Sequence, residues 1–314
     1  MTIITQYDSI ALQQPSEDQI SDYRKEFQMT PESIKNDIES LKEWLTRNPH
    51  LPNVIDDARL ERILFYCKNS LEKSKREIEK HYTLRSQYPE FFAIRDPTLP
   101  KLADVEKIAT YVPLPKLTKS GQRVVMFKIY AAPENYHLFD AEAFCTRTFM
   151  TYDFRLSHDI ARSDILVYDL SDISMAALGV MPLQMIKKLM SIGANAFPFR
   201  LNSFVLYNPP KVLENVINII KSFVPKKLTN RVQAIRGIDK LHELVPKEIL
   251  PKDYEGEVSI TLEEMRDQWD EELIRNRDWF IREQDIKTNE DKRLGKPFEE
   301  RETMEGSFRK ITID

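Results

Sequence analysis

The chain has 314 residues, 41% hydrophobic and 31% charged, the balance of a globular protein with ample material for a core. Its formal net charge of -4 argues against bulk nucleic-acid binding, and its two cysteines, Cys67 and Cys145, exclude a disulfide framework and point to a reducing compartment. No apolar run approaches the roughly 20 residues of a membrane-spanning helix, and Met1 to Ile10 lacks the basic-then-apolar order of a secretory signal.

Residues 1–29 show no clear period, so a mobile or loosely docked lead-in is expected there. Thr30 carries the hydroxyl of a helix N-cap, Pro31 suits the first helical position, and Glu32 suits the positive dipole end. Ile34, Ile38, Leu41 and Leu45 then share one face up to the stop at Asn48-Pro49. A second helix is expected after Asp56-Asp57, burying Leu60, Ile63, Leu64 and Cys67. A third, over 71–87, has a charged outer face and stops at Pro89.

The texture changes at the turn Lys119-Ser120-Gly121. Beyond it, 123–130, 164–170 and 203–208 are β-type runs, and the last two are continuously apolar, as in a sheet covered on both faces. Helical patterns over about 141–157 and 182–196 separate them. Pro209-Pro210 opens a further helix with Val212, Leu213, Val216, Ile217, Ile220 and Phe223 apolar, and a short fourth strand is expected around 232–235. Strands alternating with helices predict an α/β domain with a mostly parallel sheet. From Thr261, the spacing of Leu262, Met265, Trp269 and Leu273 predicts an amphipathic helix packed back on the body. Beyond about Lys287 the chain is charged and is expected to be extended or disordered.

Candidate chemistry is sparse. A dinucleotide or phosphate loop needs glycine, but the turn after the first β-type run reads Tyr130-Ala131-Ala132-Pro133-Glu134-Asn135, and the whole chain has 7 glycines. Ser171 and Ser174 lie beyond a strand end, with His158 upstream, but no G-x-S-x-G elbow surrounds either serine. His137, His158 and His242 are isolated and read as surface or packing residues. Lys226-Lys227 and Arg231, taken alone, read as a solvated helix end. The helix from Val212 to Phe223 fits a sheet cover and a pocket lid equally well. No enzyme, metal or cofactor is expected.

Several spaced motifs nevertheless occur together. They are Ile165-Leu166-Val167-Tyr168-Asp169-Leu170, then Ala196-Phe197-Pro198-Phe199-Arg200, then the strand Ser203 to Pro209 ending in Asn-Pro. Phe223-Val224-Pro225-Lys226-Lys227-Leu228 follows, and the run from Leu244 to Gly256 closes the series. In this order they resemble the CRAL-TRIO lipid-transfer domain. Upstream, Asp57 to Leu64 and Tyr88-Pro89-Glu90 resemble the helical domain that precedes it. The resemblance spans about 30–269 and is strongest to the α-tocopherol- and retinaldehyde-binding branch. Three positions depart from it. Leu64-Phe65-Tyr66-Cys67 replaces a basic run, Asn202 replaces the second basic residue after the Pro turn, and Glu255 stands where a glycine is usual, a change expected to affect only a surface turn.

The resemblance implies an N-terminal helical domain (30–95), an α/β CRAL-TRIO lipid-binding domain with an apolar pocket and a helical gate (96–260), and a C-terminal amphipathic helix and tail (261–314). It implies a pocket lined by Thr146, Met150, Leu189, Ile192, Phe197, Leu201, Phe204, Leu213, Val216, Ile220 and Val224, with Thr146 as the polar anchor. Arg200, Lys227 and Arg231 match basic positions for anionic membrane or phosphoinositide contact. The expectation is a monomeric cytoplasmic carrier, transiently peripheral to membranes, holding a tocopherol, retinoid, carotenoid or related lipid. The competing reading is a lipid-sensing adaptor that recruits a protein through its acidic tail.

Overall fold

The computed structural model describes residues 12–129, 139–174, 176–223 and 226–295. A helical unit comes first: α1 (Glu17–Glu26), α2 (Pro31–Arg47), α3 (Asp57–Tyr66), α4 (Leu71–Gln87) and α5 (Pro89–Phe92). The starts of α2 and α3 follow the expected chemistry. The Thr30 hydroxyl accepts from the Ser33 amide at 3.0 Å while the Thr30 amide donates to Ser33 Oγ at 3.0 Å, and Asp56 Oδ1 accepts from the Arg59 amide at 2.8 Å.

A short α6 (Pro100–Glu106) leads into the α/β body. It runs β1 (Ala109–Leu117), β2 (Gln122–Ile129), α7 (Ala141–His158), β3 (Ser163–Asp169), α8 (Ala177–Val180), α9 (Leu183–Ala196), β4 (Leu201–Tyr207), α10 (Glu214–Phe223) and β5 (Val232–Ile235). The sheet order is β1-β2-β3-β4-β5, antiparallel only between β1 and β2. Parallel neighbours in sequential order, joined by right-handed crossovers, put α7, α9 and α10 on one face of the sheet. The other face carries α11 (Ile238–Leu244) and α12 (Leu262–Arg275), followed by α13 (Arg277–Glu283).

β1 is an unexpected element. Pro113 and Pro115 lack an amide donor, which confines such a run to a sheet edge, and its register slips between Pro113 and Leu117. The carbonyls at these prolines are used from elsewhere. Pro113 accepts from Trp269 Nε1 at 2.9 Å, and Pro115 accepts from the Gln13 amide at 2.8 Å and Arg123 Nη1 at 2.6 Å.

Two terminal segments correct the sequence expectation. Residues 12–29 are docked rather than loose. Tyr23, Phe27 and Met29 are buried, Gln19 Nε2 donates to the Lys119 carbonyl at 3.1 Å, and Tyr23 packs beside Phe65 with ring centroids 5.7 Å apart. Residues 287–295 are latched to α4. The Thr288 amide donates to the Tyr82 carbonyl, the Asn289 amide to the His50 carbonyl, and Arg293 Nη1 to Glu79 Oε1 at 2.5 Å. The C-terminal segment is held by hydrogen bonds to distant elements rather than by a hydrophobic period of its own, while the lead-in buries Tyr23 and Phe27, one helical turn apart.

Gly121 shows how closely the lead-in fits. Its φ is +76°, and a Cβ there would lie 1.5 Å from Tyr23 Oη. Gly121→Ala is expected to lower stability by about 1–3 kcal/mol, through backbone strain and overpacking. A thermal melt that leaves this variant within error of the native chain would contradict the docking of α1.

Candidate functional site

The two faces of the sheet are filled differently. Register places Val124, Met126, Ile165, Val167 and Val205 on one face, where Val167 and Val205 are 0% exposed in the same cluster as Leu241, Leu250, Met265 and Trp269. The alternate residues face the crossover helices. Val125, Leu166, Phe204 and Val232 form one row, and Phe127, Tyr168 and Leu206 form the next. Here the central strand β3 presents Leu166 and Tyr168 only half-buried, although strands flank them on both sides. A sheet centre covered by helices is ordinarily closed by close-packed side chains; on this face Leu166 and Tyr168 keep more exposure than Val167 and Val205 on the other.

The floor is aromatic. The Tyr168 ring lies 4.8 Å from Phe127 and stacks on Phe204 at 4.7 Å. The wall is also aromatic: Tyr152 of α7 stacks on Phe197 at 4.9 Å and on Phe199 at 5.6 Å, and its hydroxyl lies 2.5 Å from that of Tyr111. Burial raises the Tyr168 and Tyr111 phenols well above the ordinary tyrosine range and pushes Tyr152 up to about 12. Burial likewise pushes the Cys145 thiol up to about 12. The interior therefore offers neutral phenols and apolar rings, with no activated thiolate. Among the described residues, no group of His, Cys, Asp and Glu is arranged to hold a metal.

Several expected pocket residues converge. Leu213 closes on Phe204 in one cluster with Leu170, Leu206 and Ile217, and the half-buried Leu166, Tyr168, Ile173 and Leu201 pack against it. Leu189 is half-buried and touches both the main core and the cluster of Ile192 and Phe197, which packs on α5 and α7. Val224 lies outside the described residues, as do the side chains of Val216, Ile220 and Lys227.

Thr146 and Met150 lie outside the cluster of Leu213 and Phe204. Successive residues of a helix turn by about 100°, which sets these two on the arc of α7 between Asp153 and Arg147. Asp153 pairs with Arg85 at 2.8 Å and Arg95 at 2.6 Å, while Arg147 pairs with Glu106 at 2.8 Å and with Asp270. The partners of Asp153 lie on α4 and on the segment after α5, so Thr146 on that side of α7 faces away from the sheet, while Met150 is buried in the main core cluster. The residues missed are Tyr152, Tyr168, Leu206 and Ile217. Strand alternation could have found Tyr168 and Leu206, since they share a face with Leu166 and Phe204.

The basic residues also separate. The Arg200 guanidinium is sandwiched between Phe27 at 4.6 Å and Phe65 at 4.9 Å, a cation–π seat inside the helical unit rather than on a free surface. Burial lowers its pKa. Arg231 is exposed and its guanidinium donates to the Leu201 carbonyl. The departure at Glu255 falls in an exposed turn with φ +50°.

Along residues 212–219, Leu213 and Ile217 are 4% and 6% exposed, whereas Val212 and Ile219 are 64% and 44% exposed. This segment is apolar inward and also carries apolar residues outward. Among the described residues no helix is long and apolar enough to cross a membrane.

Residues 109–256 match the CRAL/TRIO domain family, and residues 30–102 match the Pinta-like, UBA domain family. An alpha-tocopherol transfer protein-like protein of Homo sapiens is 25% identical over 274 residues, covering 85% of this chain and 78% of its own length. The Mus musculus counterpart is 24% identical over 274 residues, covering 85% and 77%. The crystal structure of Sfh5 superposes with a TM-score of 0.49 at 15% identity, over 74% of this chain and 91% of that one.

Proposed function

We propose that this chain, which belongs to the CRAL/TRIO family over residues 109–256, is a carrier that encloses one small hydrophobic ligand and exchanges it at anionic membrane surfaces. The ligand lies between the aromatic floor of β2–β4 and the helices α7, α9 and α10. The observation that carries this reading is the half-burial of Leu166 and Tyr168 on a central strand whose opposite face buries Ile165 and Val167 to 4% and 0% exposure. The relatives' name, alpha-tocopherol transfer protein-like, supports a tocopherol-type lipid within that class. Burying about 500 Å² of such a ligand is worth a gross ~12 kcal/mol, reduced by association and ordering costs. A closed lid would therefore release it slowly.

Release is triggered when α10 leaves the sheet and its apolar faces enter a bilayer. The outward Val212 and Ile219 give the closed lid an initial hold on the membrane. Arg231 and Lys227 contact anionic headgroups, each adding about 1 kcal/mol at low salt. Phosphoinositide contact rests on these two. Arg200 joins only if Phe27 and Phe65 release it.

Purified protein extracted with organic solvent should yield one stoichiometric hydrophobic species by mass spectrometry. An extract that stays empty after incubation with a mixed lipid and isoprenoid panel refutes the carrier reading. Converting Val212 and Ile219 to Asp should slow transfer to anionic vesicles at least tenfold while leaving ligand affinity unchanged. Lys227→Glu with Arg231→Glu should slow it by about thirtyfold at low salt, from two contacts of about 1 kcal/mol each, with the difference fading as salt rises. Equal rates for either variant and the native chain would remove α10 and its basic flank from the mechanism.

A further inference from the structure

Thr148 sits in the middle of α7, 4% exposed, and its hydroxyl oxygen has no hydrogen-bond partner. A mid-helix threonine commonly donates to the carbonyl one turn back, and buried hydroxyls are rarely left unpaired. Its direction follows from its neighbours on the helix. Phe144, one turn before, has its ring 5.5 Å from Phe127 of β2, and Tyr152, one turn after, meets Tyr111 of β1 through its hydroxyl. That stripe of α7 faces the sheet, so Thr148 lies between helix and strands on the face of Leu166 and Tyr168.

We propose that Thr148 Oγ1 is the hydrogen-bond partner of the ligand's single oxygen function, so that the lipid sits oxygen-first against α7 with its apolar end toward α10. This rests on the carrier reading and narrows its ligand class. The head is a neutral hydroxyl or carbonyl, since a threonine hydroxyl can donate or accept one bond but cannot neutralise a phosphate. The guanidiniums at the end of α7 are already committed: Arg155 makes 2.8 Å bonds to both oxygens of Asp164, and Arg123 bonds Asp159 at 2.7 Å. Thr146, on the far arc of the same helix, cannot serve.

The test uses the full chain with two probe pairs, α-tocopherol and its methyl ether, and all-trans-retinol and its methyl ether. The native protein should bind the free hydroxyl member of at least one pair about five- to tenfold more tightly, the worth of one hydrogen bond. Thr148→Val, which keeps shape and loses the hydroxyl, should reduce that preference to within about twofold, and Thr146→Val should keep it. Thr148→Ala gives a second reading where valine disturbs packing, and thermal melts verify folding. A preference that survives at Thr148→Val, or that disappears instead in Ser174→Ala (the other unpartnered hydroxyl near the lid), overturns the assignment. Binding of a diacyl phospholipid but of none of the four probes overturns the ligand class and leaves the carrier. Binding of nothing overturns both.

Discussion

Replacing Asp159 with alanine is expected to cost about 3–5 kcal/mol of folding stability, the largest effect of any single polar substitution in the α/β body. Asp159 is 0% exposed and holds two guanidiniums that are also 0% exposed. Its Oδ1 accepts from Arg123 Nη2 at 2.7 Å, and its Oδ2 accepts from Arg123 Nε at 3.2 Å and Arg155 Nε at 3.0 Å. Arg155 in turn clasps Asp164, at the start of the central strand. This network ties the end of α7 to β2 and β3. Without Asp159, Arg123 retains only backbone carbonyl acceptors and a buried charge is left uncompensated. Thermal melting should fall by roughly 10 °C; a loss under about 1 kcal/mol would mean that water reaches the site.

The same carboxylates set the response to acid. Burial opposes ionisation of Asp159, but Arg123 and Arg155 outweigh it and hold the carboxyl below its ordinary range. Asp153 is likewise penalised by burial yet held down to about 2 by Arg85 and Arg95. A depressed native pKa means the unfolded chain binds the extra proton first. The stabilisation is therefore complete above the unfolded value near pH 4 and drains away as pH falls from about 4 toward 2. Urea midpoints measured from pH 7 to pH 2.5 should be flat at first and drop below about pH 4. Asp153→Asn should shrink that drop.

Glu283→Ala is expected to be comparably severe, about 3–5 kcal/mol, but through the join between helical unit and body. Arg59 of α3 donates to both oxygens of Glu283 at 3.0 Å and to Ser157 Oγ of α7 at 2.8 Å, so one guanidinium links the helical unit, the lipid domain and the C-terminal helix. Arg85 of α4 holds the chain just beyond, donating to the carbonyls of Glu283 at 2.5 Å and Ile286 at 2.9 Å. Removing the Glu283 carboxylate strands the Arg59 charge at 5% exposure. Hydrogen exchange should accelerate first in 284–295, whose amides depend on this anchor. The double change Arg59→Met with Glu283→Leu should recover most of the loss, because an apolar pair does not need its charges matched. Failure to recover would mean the bridge specifies the fold rather than only satisfying its own charges.

Much of this architecture is legible in the residues. Thr30, Asp56 and Thr261 start helices where their side chains satisfy the first amides, and α4 spans Leu71–Gln87 as its period and Pro89 require. The runs at Ile165 and Val205 become parallel neighbours as continuous apolar strands should. These features are local: a cap, a stop or an alternation is decided within a few residues of itself. β1 was hidden because Pro113 and Pro115 suit only an edge, and edge position is a property of the finished sheet.

The sequence by itself therefore determined the helical unit ahead of a mostly parallel sheet, and an apolar-faced helix over 212–223. The tertiary structure alone decided which residues of α7 meet the sheet. Each residue turns about 100° around a helix, so placing Thr148 rather than Thr146 beside the strands depends on how that helix is rolled. The roll is set by contacts at long range: Asp153 on Arg85 and Arg95, Arg147 on Glu106 and Asp270, and Tyr152 on Tyr111. The same holds for Arg200, a surface cation by position that Phe27 and Phe65 draw inside. Local pattern fixes an element's kind and extent, while its rotation and the partners of its charged side chains are chosen by residues far away in the chain.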